Sequence, residues 1–427
     1  MSLAPGRRVR ARFAGLFLFL PLPARVGFDP LVLRAAYPGS SMTPAPSALL
    51  RLLALKLLDK ERRGHIDDFN FDDALGLFCG LNVLPRKSSA AAYSYQASRG
   101  NQRALPAGWV KARSGLPFAR PEAFALDFHP VPYRGEASGL DSPYLPRRGK
   151  AGPRVLTSFA LGNDRRVLCY ANANLARADQ PGAPMRFVAS WRELTGSNPQ
   201  WLYLDSQVMT YPGLPALNQL GVWFVTIRRR GAAILRRLGR LPADVWQAAV
   251  IDTPKRCRQP IRSIDERVER PGYEGRVRQL AVTGLGREGP TLFLSNNLDQ
   301  AGRSLIIRYA GRNRVEDGLG NAVNFFPLDC LSSEVRLTVD RDGALTVLAN
   351  GCYRWLGKQR RGFEAAAAKQ LFRRFVETAG LVEAQEKRVL VHFDKRSHNP
   401  VLREAALDKE SLPIPWLANR SISFVYP

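Results

Sequence analysis

The sequence is poor in the residues that build thiolate and imidazole metal sites: 427 residues hold five cysteines and four histidines. Cys79, Cys169, Cys257, Cys330 and Cys352 are widely spaced, odd in number and without a C-x-x-C pair. That excludes a disulfide framework and a zinc ribbon, and makes a reducing cytoplasm the expected setting. His65, His129, His392 and His398 form no H-x-x-x-H pattern, so no zinc site is expected. Near the start an apolar run over residues 13 to 20 imitates a secretory signal. It is broken by Pro21 and Pro23, lacks a small-x-small cleavage site and is far below the roughly 18 residues of a membrane span. It reads as a buried core segment, and no membrane partner is expected. Acidic residues are also scarce, 37 against 63 Lys plus Arg, for a net charge of +26. Such a chain is drawn to polyanions, nucleic acid being the commonest. Seven tryptophans and a hydrophobic share of 45% exclude a disordered basic tail.

The basic excess is uneven: +11 over residues 1 to 120, +8 over 121 to 240, +1 over 241 to 300 and +6 over 301 to 427. Residues 46 to 63 show apolar residues at helical spacing, a second helix is expected from Asp72 to Cys79, and a third begins near Ser88 or Ser89. Residues 96 to 120, with Pro106 and Pro117 and no periodicity, read as a linker. Residues 1 to 120 thus form a helical, basic region suited to DNA binding or to dimerisation. Tyr93, Tyr95 and Trp109 either stack on bases or pack in a core.

From residue 121 strands and helices alternate. Strands are expected at 123 to 129, 154 to 161, 166 to 171, 201 to 205 and 221 to 227, with a helix at 184 to 195. Three strands, a helix and a further strand give an α/β fold with the order of a ribonuclease-H-like core over 121 to 240. Residues 241 to 300, nearly neutral and strand-like, read as a β-rich insertion and a separate module. Residues 301 to 427 hold a further helix and a mostly helical C-terminal region.

Three acids stand out. Asp127 and Asp205 lie near the ends of the apolar runs FALDFHPVPY and WLYLDSQVMTY; Glu316 lies in IIRYAGRNRVEDGLGNAVNFF. If residues 306 to 326 are one helix, Tyr309, Arg312 and Glu316 share a face. Asp317 is out of phase with them and is the alternative third acid. Carboxylates converging from two strands and a helix can hold a pair of divalent cations, and an all-oxygen set suits Mg2+, with Mn2+ as substitute. Each strand acid alone can equally cap a turn. His129 falls on the same strand face as Asp127, for hydrogen bonding or for assistance near the metals. Arg147, Arg148, Lys150 and Arg154, and the run Arg228, Arg229 and Arg230, flank the two acidic strands as phosphate contacts or as solvated loop charge.

These segments resemble a DDE transposase of a bacterial insertion sequence, specifically the branch with a Y-x2-R-x3-E signature and a β-strand insertion in the ribonuclease-H-like core. The segments LFCGLNVLPRKSSAAAYSY, DFHPVPYRGE, LYLDSQVMTY, FVTIRRR and RYAGRNRVE carry the resemblance in order. It implies Asp127, Asp205 and Glu316 as catalytic metal ligands, with Tyr309 and Arg312 supporting Glu316 and the DNA; Arg312 is expected to be exposed in the cleft, where its fork can contact a phosphate. The signature continues with a Lys seven residues after the Glu, where this chain has Val323. The implied activity is strand cleavage and strand transfer on double-stranded inverted-repeat ends and target DNA, by a homo-oligomer. The alternatives are an inactive or domesticated DNA-binding relative, and a ribonuclease-H-like nuclease that cuts without joining.

Overall fold

In a computed structural model of the chain, the structure describes residues 5–60, 63–69, 72–116, 120–133, 144–145, 150–151, 153–206, 208, 210–253, 256–312, 320, 324–328 and 336–427. Five strands form the heart of the larger sheet: β2 (Ala123–Pro132), β3 (Arg154–Gly162), β4 (Val167–Leu175), β5 (Trp201–Leu204) and β6 (Trp223–Arg228). Across the sheet they run β4-β3-β2-β5-β6. The first three are antiparallel neighbours, and β5 lies parallel to both β2 and β6. Trp201, Leu202, Tyr203 and Leu204 are all buried, the continuous apolar run that a parallel strand covered on both faces requires.

The strands expected to form a separate module instead extend this sheet. They are β7 (Gln247–Ile251), β8 (Gln259–Glu269), β9 (Arg276–Thr283) and β10 (Thr291–Ser295). β10 pairs antiparallel with β6, and β9, β8 and β7 follow in order to complete nine strands. β8 has no counterpart in the sequence expectation, because its alternation of Arg262, Asp265, Glu266 and Arg267 reads as solvated surface. Its charges are paired: Asp265 with Arg278 of β9 at 2.5 Å, and Glu266 with Arg237 of the helix Ala232–Gly239.

One face of the core is covered by helix α3 (Ala183–Thr195), where Phe187 and Trp191 pack on Phe124 with ring centroids 5.0 and 4.5 Å apart. The edge at β4 is covered by α2 (Arg99–Arg113) and α6 (Arg336–Lys358), which also pack on each other. α2 occupies the stretch expected to be a linker. Ser98 caps it, its hydroxyl accepting from the Asn101 N–H while Asn101 accepts from the Ser98 N–H. Its buried residues Gln102, Leu105, Pro106, Trp109, Val110 and Arg113 form a regular helical stripe. The polar members Gln102 and Arg113, with Pro106 inside, hide that stripe from a reading of hydrophobicity. Trp109 is 0% exposed and Tyr93 is buried, so both serve the core; the Tyr95 side chain lies outside the described residues.

The N-terminal region is not a separate body. Strand β1 (Arg8–Ala11) pairs antiparallel with β11 (Gly380–Ala384), which continues through β12 (Arg388–Phe393) to β13 (Ser421–Val425). The apolar residues Ala14–Phe19 form a buried 3-10 helix, with Phe17 on Phe78 and Phe19 on Tyr353. One buried hydrophobic cluster runs from Ala11 to Phe424. Among the described residues no single helix is long and apolar enough to cross a membrane. Within the C-terminal region expected to be mostly helical, residues 361 to 380 are helical only in the short helix Ala368–Leu371 and a π-helical turn Phe372–Val376.

Candidate active site

The register of two parallel strands brings Asp127 and Asp205 together. Leu126 of β2 lies beside Leu204 of β5, and the next residue on each chain is the acid. Side chains alternate along a strand, so Asp127 points away from the face on which Phe124 meets α3. Half-buried His129 shares the face of Asp127. Each carboxylate is fixed by a backbone N–H: Phe128 donates to Asp127 Oδ1 at 2.9 Å, and Ser206 donates to Asp205 Oδ1 at 2.6 Å. Their other oxygens converge on one guanidinium nitrogen. Arg312 Nη2 lies 3.6 Å from Asp127 Oδ2 and 3.8 Å from Asp205 Oδ2.

Helix α5 (Gly302–Ala310) delivers that guanidinium. It buries Leu305, Ile306 and Tyr309. Tyr309 packs edge-on against Phe293, and its hydroxyl donates to the Leu204 carbonyl at 3.3 Å, tying the helix end to the end of β5. Arg308 lies over the Trp201 ring, 4.9 Å from its centroid. The helix stops at Ala310, so the expected single helix over 306 to 326 is not observed. Gly311 follows where a Cβ would come within 2.8 Å of Asn163 Nδ2 and 2.9 Å of the Arg308 carbonyl. Its backbone stays in the right-handed helical region, so the glycine serves close packing, and the Arg312 N–H bonds to the Tyr309 carbonyl at 2.8 Å. Arg312 is 6% exposed. The expectation of an exposed arginine held out to DNA is therefore corrected: it is a buried bridge between the two acids. Gly311 carried no signal in the sequence beyond its place inside the Y-x2-R spacing.

Glu316, Asp317 and Val323 lie outside the described residues, as do Arg147, Arg148 and the side chain of Lys150. Arg154, expected at a phosphate, is instead turned inward. It is 9% exposed and donates to the Pro130 carbonyl at 3.2 Å. Arg228 is half-buried and hydrogen-bonded to Gln279, and its pKa is lowered, chiefly by burial and then by Arg270 nearby. Arg229 and Arg230 are exposed, with Arg230 donating to the Gly289 carbonyl at 3.2 Å.

The described residues contain no cluster of three or more His, Cys, Asp or Glu arranged to hold a metal ion. Asp127 and Asp205 supply two carboxylates aimed at one positively charged point, and the Asp205 side chain is open to solvent on one side. A hard divalent cation that prefers oxygen ligands and retains waters fits this donor set.

No protein-family model matches the chain, and no curated protein matches it. Among solved structures the chain is similar to one described as a piggyBac transposase synaptic complex with hairpin DNA. The identity is 12%, the match covers 87% of this chain and 82% of that one, and the TM-score is 0.44. A likeness so distant carries no function to this chain.

Proposed function

We propose that the protein is a metal-dependent DNA strand-cutting and strand-joining enzyme, a DDE-type transposase of the insertion-sequence kind on a ribonuclease-H-like sheet. The observation that carries this reading is the convergence of Asp127 and Asp205 from adjacent parallel strands onto Arg312. The strand order supports it: three antiparallel strands, the first of them central, followed by two parallel strands on its other side. This order supports the ribonuclease-H-like reading, with the β-rich insertion added at the far edge.

In this reading Asp127 and Asp205 hold Mg2+, or Mn2+ in its place, with Glu316 as the third acid. When bound, the metal pair supplies Lewis-acid activation of a water or a 3′-hydroxyl and stabilises the leaving oxygen. The chain's own residues orient the rest. Tyr309 fixes the end of α5 against β5, which sets where Arg312 enters. Arg312 neutralises the carboxylates before substrate arrives, and its planar fork then suits a scissile phosphate. Exposed Arg229 and Arg230, at the end of β6, are placed to contact backbone phosphate. Double-stranded element ends and target DNA are the substrates, bound by a homo-oligomer in the cytoplasm.

The test is a cleavage and strand-transfer assay with purified protein, Mg2+ and DNA carrying the sequences that flank the coding region. Asp127→Ala and Asp205→Ala should abolish cutting while duplex binding persists, since no neighbouring carboxylate replaces the lost metal oxygens. Near-normal cutting by Asp205→Ala removes the assignment, and cutting without any joining identifies a nuclease.

A further inference from the structure

We infer a second site, distinct from Asp127 and Asp205, that binds a phosphoryl group in the cleft where Arg99, Gln102 and Arg103 of α2 face Arg186 of α3. The cleft encloses about 310 Å³ and is bounded below by Ala171 and Asn172 of β4. That volume is at the small end of ligand pockets, of order 300 to 1,000 Å³.

Its charge is positive. Asp179 and Asp340 also line it, so three guanidinium groups stand against two carboxylates, each of which spends one oxygen on a backbone N–H. Asp340 accepts from the Ala173 N–H at 3.1 Å, and Asp179 accepts from the Ala176 N–H at 3.4 Å. Burial raises the Asp340 pKa, against the pull of Arg99 and Arg103. Among the described residues no ion pair joins Arg99, Arg103 or Arg186 to a carboxylate; Arg99 and Arg103 act on Asp340 through space. Arg186 spends one nitrogen on the Asp179 backbone carbonyl, and its Nε is buried without a partner.

A second observation points independently to a ligand. Gln102 is 3% exposed, and its Oε1 accepts a hydrogen bond from the Tyr37 hydroxyl. Gln102 lines the cleft, and its Nε2 is a buried donor with no hydrogen-bond partner. Leaving such a donor unmade is costly, and a turn of the Gln102 amide toward an acceptor bound in the cleft relieves it. An amide donor beside several guanidinium forks is the set a phosphoryl oxygen cluster satisfies. These side chains come from the first turns of α2, where the helix dipole adds to the attraction.

The site stands apart from the acids. In register Asp127 faces Phe159, and Phe159 faces Ala171, so the cleft wall lies two strands from Asp127, about 10 Å across the sheet. A free phosphorylated small molecule and a flanking backbone phosphate of bound DNA offer the same chemistry. The first source is independent of the proposed enzymatic function.

The experiment uses the full chain with two probes, inorganic phosphate followed by calorimetry and a short duplex followed by fluorescence anisotropy at two salt concentrations. The double variant Arg99→Gln, Arg103→Gln removes two exposed cations, with Arg361→Gln as an exposed control elsewhere. Binding should weaken by about tenfold or more in the double variant and stay unchanged in the control. Asp340→Asn should tighten binding, a gain that misfolding cannot imitate. Loss confined to inorganic phosphate identifies a free ligand. A weaker duplex affinity with a shallower salt slope identifies a backbone phosphate. Equal effects in the control, or no change with either probe, overturn the inference.

Discussion

Replacing Arg312 with glutamine keeps most of the side-chain volume and removes the charge between Asp127 and Asp205. The two contacts, at 3.6 and 3.8 Å, are each worth roughly 4 kcal/mol at an effective dielectric of about 20 and about 1 kcal/mol in water. Arg312 is nearly enclosed, whereas the side chains of Asp127 and Asp205 are 26% and 41% exposed. Solvent screening and the desolvation of the guanidinium therefore reduce the net loss to about 1–3 kcal/mol. For a chain of this length the entropy of unfolding converts that into a fall in Tm of about 1 °C per kcal/mol, so urea denaturation is the better assay. In chelator, Arg312→Gln should unfold at lower urea than the parent. With excess Mg2+ or Mn2+ the variant should recover more than the parent gains, because a divalent cation at about 100 times its Kd adds roughly 2.7 kcal/mol. Equal midpoints in chelator, together with equal metal responses, would refute the view that Arg312 holds the two carboxylates in check.

Two further substitutions test other parts of the molecule. Burial pushes the Asp29 carboxyl up to about 6, and its Oδ1 has no hydrogen-bond partner. Between its ordinary value and about 6 the unfolded chain binds fewer protons at this position than the folded one, so its contribution to stability falls as pH rises through that window and is flat above it. Asp29→Asn should remove this slope and raise stability at pH 7 by about 1 kcal/mol, allowing for partial exposure, as denaturant midpoints across pH 4 to 8 will show. At Gly15 a Cβ would land on the Phe375 carbonyl oxygen and the Val376 backbone. Gly15→Ala should cost about 2–3 kcal/mol or leave the protein insoluble; a midpoint within error of the parent would show that the N-terminal segment is loosely held.

The two strand acids were legible because an apolar run ending in a lone Asp survives in sequence as a pattern of period and place. Their adjacency was not, since it depends on the register of Leu126 against Leu204. Arg312 was found by its spacing from Tyr309, yet its burial was misread. The spacing assumed one helix through residue 316, whereas the helix ends at Ala310 and the turn that follows leaves the arginine buried. α2 and β8 were lost for a common reason: each buries or pairs polar side chains, Gln102 and Arg113 in one, Asp265 and Glu266 in the other. Hydrophobic periodicity is silent where hydrogen bonds and cross-strand ion pairs do the packing.

The pairing of β1 with β11 has a consequence for how the chain is made. Residues 8 to 11 leave the ribosome about 370 residues ahead of their partners at 380 to 384. At about 5–20 residues per second that delay is roughly 20–75 s. Throughout it the apolar segment Ala14–Phe19 has neither Tyr353 nor the Phe375 backbone to pack against. The nascent polypeptide therefore displays a hydrophobic stretch over that interval, a natural point of capture for chaperones and of aggregation when ribosomes stall.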